Sequence, residues 1–464
     1  MLRLWQSECA NKALDKYING HSHFFCQATP GAGKTIMAAD VAKSLLNNDE
    51  IDLVLCFSPS SAVAEGIKAT FSIYLSCAFS GGLGTLGASY TYQSIKYLDD
   101  SFWETLKKYR IFVVFDEIHH CSFDEDGKSN SWGEQVVCKV QRLAKYTLAL
   151  SGTPWRSDRL PIAMAEYSDP EGMLVCDYQY TLNQAVKDNV CRRPKIVLVD
   201  NEGLSIKDES SHSFSSIADL LQHTKASYQS IIHNQAAVIY ILKSACIKLC
   251  EIRKRTPNAA GLIVAASVSH AKWIQKLLDV ELKQTVSIVT YHHQSPMEEI
   301  QRFRNDKTQW IVSVGMISEG TDIPRLQVCC HLSAVKTELY FRQVLGRILR
   351  VTNSVNQDAW LYTFAESNLV EFAERIEQDI PESCLYIDVE QPVEDIISNT
   401  KVKATESSTT TDSGFSSLLI DWEDEVSNSS NSSSEMIYQE SERIKLGQYR
   451  ERVIAAFSKL KYRS

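Results

Sequence analysis

The sequence lacks any apolar run approaching the roughly 18 residues of a membrane-spanning helix. Its first residues show no apolar segment of the signal-peptide kind, so we expect a soluble, cytoplasmic protein without a membrane partner. The 13 cysteines show no CxxC spacing, which disfavours a structural zinc site, and a chain of 464 residues has no need of disulfide staples. We therefore predict buried, reduced thiols.

An overall basic character is also missing, because the formal net charge is −9. Residues 366–442 hold 19 Asp and Glu against 3 Lys and Arg, whereas residues 443–464 hold 7 Lys and Arg against 1 Glu. The remainder of the chain is close to neutral and can still present a basic groove that follows a phosphate backbone. Charge therefore leaves nucleic-acid binding open.

The length predicts at least two domains, and strand-like runs alternate with helix-like segments in two successive blocks. This alternation is typical of α/β domains with parallel β-sheets flanked by helices. We predict a first domain over 1–198, a polar interdomain connection over 199–227 and a second domain over 228–380. An acidic, Ser/Thr-rich flexible linker is expected over 381–434, followed by a basic amphipathic helix over 435–464.

The residues around Gly31 and Gly33 have the composition of a phosphate-binding loop, with the sequence ATPGAGKT at 28–35. An apolar strand-like run precedes this segment and a helix-like run follows it, which is the context that such a loop requires. Backbone N–H groups at a helix N-terminus attract the phosphates, Lys34 would reach the β- and γ-phosphates, and Thr35 would bind Mg²⁺. The alternative is a chance glycine turn.

Two carboxylates, Asp116 and Glu117, directly follow the buried-strand pattern IFVVF at 111–115. Opposite a P-loop lysine, Asp116 would hold Mg²⁺ and Glu117 would polarise the attacking water. Without the P-loop, the same pair could serve only to cap a helix.

Two arginines, Arg347 and Arg350, stand three residues apart and are predicted on one helix face. Their guanidinium groups suit the charge that develops on a γ-phosphate, so a second domain could complete the site by closing onto the first. A pair of surface arginines is the alternative. A GxGxxG match at Gly82, Gly84 and Gly87 lacks the strand–helix context of a dinucleotide site, and we predict a flexible loop there.

With these motifs in place, the sequence resembles superfamily 2 helicases and translocases of the DExH type. It is most similar to the helicase (R) subunits of type I and type III restriction enzymes and to related DNA-repair helicases. The resemblance covers roughly residues 1–365 and departs from the usual pattern at Ala28, where glycine is common. The matching segments follow the family order: Arg3 and Gln6 (Q-type motif), 28–35 (motif I), 58–60 (Ia), 91–94 (Ib), 116–119 (DExH box), 151–154 (III), 313–324 (V) and 343–350 (VI).

The resemblance implies two tandem RecA-like domains, with ATP and Mg²⁺ as cofactors between them. The residues that it implies for nucleotide contact are Arg3, Gln6, Pro30, Gly31, Ala32, Gly33, Lys34, Thr35, Gly320, Asp322 and Gln343. Those that would couple hydrolysis to movement are His119, Ser151 and Thr153. Those that would touch nucleic acid are Ser60, Thr91, Gln93, Ser267 and Thr321, although a turn or cap role for each hydroxyl remains open.

These expectations combine into an ATP-dependent nucleic-acid helicase or translocase. DNA is favoured over RNA by resemblance, through backbone contacts without sequence preference. No nuclease signature is evident, so cutting would belong to a separate partner subunit, as in a restriction, phage-defence or repair system. An RNA-dependent ATPase and a nucleotide-gated scaffold or sensor remain alternatives.

Overall fold

The computed structural model of this protein describes residues 2–121, 140–153, 161–168, 174–206, 213–290, 296–315, 323–352, 357–377, 437 and 440–457. Within these ranges, no helix is both long and apolar enough to cross a membrane. The cysteines that the structure describes are free thiols, and most are buried, as predicted.

The N-terminal half of the chain forms a parallel sheet of six strands with the order β3-β2-β4-β5-β1-β8. The central strands are almost fully buried, which explains their unbroken apolar sequences. The strands are β1 (His23–Ala28), β2 (Leu53–Ser58), β3 (Gly87–Thr91), β4 (Ile111–Phe115), β5 (Ala144–Ser151) and β8 (Tyr178–Tyr180), and β6 (Glu166–Tyr167) and β7 (Leu174–Val175) pair separately.

Several helical segments of this half begin directly after a residue whose side chain caps them. Ser60 and Thr91 accept hydrogen bonds from backbone N–H groups at the starts of the helices that follow them. The helices are α1 (Leu4–Ile18), α2 (Lys34–Asn47), α3 (Ser61–Leu75), α4 (Asp100–Leu106) and α5 (Leu182–Lys187), with 3₁₀ turns at Tyr92–Tyr97 and Ile118–His120.

The second sheet has seven strands in the order β12-β13-β11-β14-β15-β9-β17. The first six are parallel to one another, whereas the last pairs antiparallel with β9. The strands are β9 (Arg193–Glu202), β11 (Ala260–Ala265), β12 (Val286–Val289), β13 (Trp310–Ser313), β14 (Leu326–Leu332), β15 (Asp358–Phe364) and β17 (Gln448–Ala455), and β10 (Ser205–Ile206) pairs with β16 (Ile444–Lys445).

Helices also flank this second sheet. The stretch from Tyr228 to Arg253 forms two helices, because Asn234 caps the start of the second one. The helices are α6 (Ile217–His223), α7 (Tyr228–Ile232), α8 (Gln235–Arg253), α9 (Val268–Lys276) with a π turn at Leu277–Glu281, α10 (Pro296–Asn305), α11 (Glu338–Ile348) and α12 (Ser367–Glu377). Two parallel α/β sheets flanked by helices are the predicted fold class.

Two local predictions are wrong. The segment 193–202 is a strand of the second sheet, so 193–198 does not belong to the first domain and 199–202 does not belong to a connection between domains. The C-terminal stretch is not a helix over 444–455, because it forms β16 and β17 and Tyr449 stacks on Tyr240 with ring centroids 3.8 Å apart. The acidic linker predicted over 381–434 lies outside the described residues.

Parallel strands place the polar turns of the first sheet at one edge. The loop after β1, the carboxylates after β4 and Gly152 after β5 all follow the carboxyl ends of neighbouring strands. The second sheet faces this edge with the residues that precede its strands, since the Cys191 thiol before β9 lies 3.8 Å from the carbonyl oxygen of Pro30. A candidate site therefore lies between the carboxyl ends of the first sheet's strands and the residues that precede the second sheet's strands.

Candidate nucleotide-binding site

The loop between β1 and α2 adopts a conformation that its glycines make possible. Gly31 and Gly33 have φ values of +84° and +98°, in the left-handed region that favours glycine. A Cβ at Gly33 would lie 2.8 Å from Gln6 Nε2, so a larger residue would also displace that side chain. Because α2 begins at Lys34, the loop presents the N–H groups of a helix N-terminus, as a phosphate site requires.

Arg3 and Gln6, the two residues of the Q-type motif, contact this loop from the side of α1. Arg3 Nη1 donates to the carbonyl oxygen of Ala32 at 2.6 Å, and Gln6 Nε2 donates to that of Gly33 at 2.9 Å. Gln6 Oε1 accepts the Arg3 backbone N–H at 2.8 Å. Both side chains also line the cavity beside the loop. The resemblance implied nucleotide contact for both residues, and the structure adds this support of the loop.

Lys34 lies among buried charges at the carboxyl ends of β1 and β4. Its Nζ is 3.0 Å from Glu117 Oε1 and donates to the carbonyl oxygen of Ala28 at 3.3 Å. Burial disfavours the ammonium form, but the carboxylates of Glu117 and Asp116 outweigh it and raise the pKa of Lys34. Lys34 is therefore held in its charged form.

The two neighbouring carboxylates differ in their protonation behaviour. Burial, and then the charge of Glu117, raises the pKa of Asp116 above its ordinary value. For Glu117, burial alone would raise the pKa, but the positive charge of Lys34 reverses this and holds the pKa low. Glu117 is thus kept ionised, while Asp116 has a buried carboxylate whose charge lacks full compensation.

Glu117 is oriented by backbone strain and by the turn after β5. Its φ of +49° is unusual for a residue with a side chain, and its Oε2 accepts the Gly152 N–H at 3.0 Å. His119 Nδ1 lies 3.5 Å from the same oxygen and 3.0 Å from Ser151 Oγ. The Ser151 hydroxyl also accepts the Thr153 N–H at 3.2 Å. Of the predicted coupling residues, His119 therefore lies beside the predicted catalytic carboxylate, and Ser151 and Thr153 are linked to it through His119.

The donor set around Asp116 fits Mg²⁺. Asp116 Oδ1 is buried and makes no hydrogen bond to any residue that the structure describes, and Thr35 lines the same cavity. Mg²⁺ commonly takes one or two protein oxygens together with substrate phosphates and water. Within the described ranges, no group of three or more His, Cys, Asp or Glu is placed to hold a metal ion, so a closed protein-only metal site is not indicated there.

Residues of α11 and the turn after it complete the cavity from the second sheet. The cavity has a volume of about 620 Å³ and is lined from that side by Gln343, Gly346, Arg347 and Arg350, among others. The prediction that both arginines project from one helix face is wrong, because α11 ends at Ile348 and Arg350 forms a β-bridge with Cys191. Both nevertheless reach the same cavity.

The contact between α11 and the glycine loop depends on Gly346. A Cβ at this position would lie 2.7 Å from Pro30 Cβ, so only glycine allows the observed approach. Burial, and then the nearby charge of Arg304, lowers the pKa of Arg350 to about 10. Sequence reasoning gave Gly346 no role of its own, although a glycine inside a helix is itself a signal of close packing.

Of the residues predicted to touch nucleic acid, those that the structure describes do not line this cavity, and three of them cap helices. The hydroxyls of Ser60, Thr91 and Ser267 accept N–H groups of α3, the 3₁₀ turn and α9 respectively. Gln93 is half-buried in that 3₁₀ turn. Capping uses the hydroxyl oxygen as an acceptor, so an O–H group of this kind and the uncapped N–H groups of the helix are the donors suited to phosphate oxygens. Gly320, Thr321 and Asp322 lie outside the described residues.

The fold and this cavity define a tandem RecA-like, P-loop type of protein. Two family models match the chain: "Type III restriction enzyme, res subunit" over residues 1–156 and "Helicase conserved C-terminal domain" over residues 243–352. Each model covers less than half of the chain, and together they show that the chain resembles superfamily 2 helicases and, among them, the R subunits of restriction enzymes.

Individual relatives agree with this family and are distant. The chain is 27% identical over 391 residues to an uncharacterized protein of Mycobacterium leprae, covering 81% of this chain and 64% of the relative. It is 22% identical to a DNA 3'-5' translocase, XPB2, of Sulfurisphaera tokodaii, covering 51% of this chain and 55% of that protein. A fragment structure described as an HsdR subunit of a type I restriction enzyme from Vibrio vulnificus has the same fold, with a TM-score of 0.54, 16% identity, and 80% and 66% of the two chains covered. The chain thus spans under two thirds of the length of these relatives.

Proposed function

We propose that this protein is an ATP-dependent DNA translocase or helicase that hydrolyses ATP between its two sheets. The observation that carries the proposal is one cavity lined by Lys34, Thr35, Asp116 and Glu117 from the first sheet and by Arg347 and Arg350 from the second. These are the charged groups that phosphoryl transfer requires: a lysine, metal-binding oxygens, a base and arginines for transition-state charge.

Each group then has a part in hydrolysis. Lys34, held in its charged form, binds the β- and γ-phosphates, and the glycine-loop N–H groups bind the phosphate oxygens beside it. Asp116 and Thr35 would hold Mg²⁺, which neutralises phosphate charge when it is bound. Glu117, ionised beside Lys34 and oriented by Gly152, accepts a proton from the attacking water.

The arginines make hydrolysis depend on the distance between the sheets. Arg347 and Arg350 come from the second sheet, so they stabilise the γ-phosphate only when α11 lies against the glycine loop. Hydrolysis removes that attraction and favours separation of the sheets. Alternating approach and separation is how we propose that the protein steps along a strand.

The contacts with nucleic acid would be made by hydroxyls and helix N-termini at strand ends. Ser60 and Thr91 lie after adjacent strands of the first sheet, and Ser267 lies after a strand of the second. Such groups suit phosphate oxygens and do not read base sequence. We favour DNA because the chain resembles restriction-enzyme R subunits and a relative named as a DNA translocase.

The deciding experiment measures steady-state ATPase activity with single-stranded DNA, duplex DNA and RNA, each matched in length. We expect DNA to stimulate hydrolysis more than RNA does, and Lys34→Ala to abolish the stimulated rate. Stimulation by RNA alone would support an RNA-dependent ATPase. A wild-type rate that equals the Lys34→Ala rate with every nucleic acid would contradict the proposal and favour a scaffold or sensor.

We further propose that the protein is the motor of a restriction, phage-defence or repair system and that a separate subunit cuts. The resemblance to R subunits supports this role. The purified chain should leave supercoiled plasmid intact with Mg²⁺ and ATP while hydrolysing ATP at the stimulated rate. Cleavage that persists in the chromatographically pure chain and disappears in a Lys34→Ala preparation would contradict a separate nuclease.

A further inference from the structure

Arg192 stands at the junction between the two sheets and is almost completely buried, with 1% of its surface exposed. On one side is Cys191, which forms a β-bridge with Arg350 and lies against the carbonyl oxygen of Pro30. On the other side β9 begins at Arg193. Arg192 therefore lies between Cys191, which contacts the glycine loop and Arg350, and the start of β9.

The guanidinium group of Arg192 holds both flanks of Arg350. Nη1 donates to the carbonyl oxygens of Leu326 at 2.6 Å and Ile348 at 3.2 Å. Nη2 donates to the carbonyl oxygen of Pro324 at 3.3 Å and to Thr352 Oγ1 at 3.1 Å. The Arg192 backbone N–H donates to the Leu349 carbonyl oxygen at 2.6 Å.

These hydrogen bonds satisfy backbone carbonyl groups at the C-terminal end of α11. The last carbonyl groups of α11 have no partner within the helix, and Arg192 supplies donors to Ile348 and Leu349. Among the described residues no carboxylate forms an ion pair with Arg192, and burial lowers its pKa to about 10. A lysine has one nitrogen in place of this planar fork, so it cannot reach four separate acceptors.

We propose that Arg192 is a positioning residue that sets where Arg347 and Arg350 stand relative to the glycine loop. It does not touch the cavity itself, and it acts by fixing the turn from Ile348 to Thr352 against the entry of β9. The inference rests on the proposed ATPase function for its kinetic consequence. Its structural consequence, protection of this turn, is independent of catalysis.

Arg325 provides a matched control in the same sheet. It too is buried, and it donates to the carbonyl oxygen of Phe303 at 2.9 and 2.6 Å and to that of Thr308 at 2.8 Å. These contacts fix the end of α10, not of α11. Arg325 Nη2 also forms an ion pair with Asp306 Oδ1 at 3.0 Å, which a lysine can keep. Arg325→Lys should therefore lose hydrogen bonds to carbonyl groups, as Arg192→Lys does, without removing a donor from the turn that bears Arg350.

The experiment compares the two variants in the full-length chain. In Arg192→Lys we expect kcat for DNA-stimulated hydrolysis to fall about 10–100-fold, the scale of a displaced catalytic group. KM for ATP should change by less than about threefold, because ground-state binding remains. Arg325→Lys should lower Tm similarly and keep kcat within about twofold of wild type. Amide hydrogen exchange over 348–352 should accelerate only in Arg192→Lys.

A milder pair of variants covers the case in which Arg192→Lys fails to fold. Thr352→Val removes one acceptor of the guanidinium group, and Thr352→Ser keeps the hydroxyl. We expect a several-fold loss of kcat in Thr352→Val and recovery in Thr352→Ser. Equal kcat and equal exchange in wild type and the Arg192 or Thr352→Val variants would overturn the proposal. A wild type without ATPase activity would refute the proposed function alone, since the exchange measurement still decides the role of Arg192.

Discussion

The two edges that form the cavity handle buried charge in opposite ways. On the first sheet, Lys34 and Glu117 are within 3.0 Å of each other, and each holds the other in its ionised form. On the second sheet, burial and Arg304 both act against the charge of Arg350 and lower its pKa. Lys34 and Glu117 thus compensate each other at the first edge, whereas the charge of Arg350 at the second edge would be stabilised by an added anion such as a γ-phosphate.

The largest expected effect comes from removing charge at the second edge. Arg350→Ala should lower the stimulated kcat by about 10³–10⁵-fold, the usual contribution of an arginine finger. Nucleotide should still bind, because the glycine loop and Lys34 are unchanged. Single-turnover hydrolysis and binding of a fluorescent ATP analogue measure the two quantities. A loss confined to affinity, with kcat preserved, would place Arg350 outside the transition state.

A loss of about 10²–10⁴-fold in kcat is expected when Glu117 is replaced by Gln, as for removal of a general base. The amide keeps the shape and can still accept the Gly152 N–H, so the geometry of the first edge should persist. ATP affinity should be equal to or greater than that of wild type, which equilibrium binding checks. Full hydrolysis by Glu117→Gln would show that Glu117 is not the general base and that the first edge only binds phosphate.

The contact between the edges is tested by Gly346→Ala. The new Cβ would lie 2.7 Å from Pro30 Cβ, so α11 must move away from the glycine loop. We expect kcat to fall about 10–100-fold, as for a small displacement of catalytic groups. Thermal stability should fall little, because Ala favours helix over Gly by about 1 kcal/mol.

Gly82→Ala is the control for this variant, since its added Cβ would be no closer than 3.8 Å to another residue. It lies in the GxGxxG segment that we interpret as a loop. Its kcat should equal that of wild type. If Gly82→Ala matched Gly346→Ala, the loss would not report on contact between the edges.

The smallest expected effect is a pH-dependent change in stability at Asp116. Burial, and then Glu117, raises the folded-state pKa above the ordinary 3.8, so the folded protein binds this proton more tightly than the unfolded chain does. Stability is then lost as pH rises through the raised pKa, and the penalty is largest at alkaline pH. Without Mg²⁺ and nucleotide, the Tm of Asp116→Asn should exceed that of wild type at pH 8, by about 2–4 °C for each kcal/mol of penalty removed. Near pH 4 the two proteins should have equal Tm values.

Mg²⁺ and ATP should reverse this order at pH 8, because a bound metal stabilises the carboxylate form and the variant lacks that ligand. Differential scanning fluorimetry across pH 4–8 measures both curves. A Tm difference that does not depend on pH would mean that the Asp116 carboxylate carries no buried-charge penalty.

Sequence patterns located the first edge well because its determinants are local. Gly31 and Gly33 follow from backbone conformations, and Asp116 follows from an unbroken apolar strand. The place of Arg350 and the role of Arg192 depend on a β-bridge and carbonyl contacts between distant segments, which no local pattern encodes. The strand at 448–455 was missed for the same reason, since its apolar residues also fit a helical period and its pairing partner is β9.

The strand β17 has a consequence for the design of truncated proteins. All eight of its residues pair with β9, and Arg450 also bonds Asp200 at 2.7 Å. A truncation after α12, or one that removes 401–464, would bare the main-chain donors and acceptors of β9 along an apolar strand. An exposed edge strand pairs with other chains, so we expect the truncated protein to aggregate. Loss of activity in that truncation would then have two explanations, aggregation and a missing function of the tail. Excising 401–434 alone, with the last strand retained, separates the two causes.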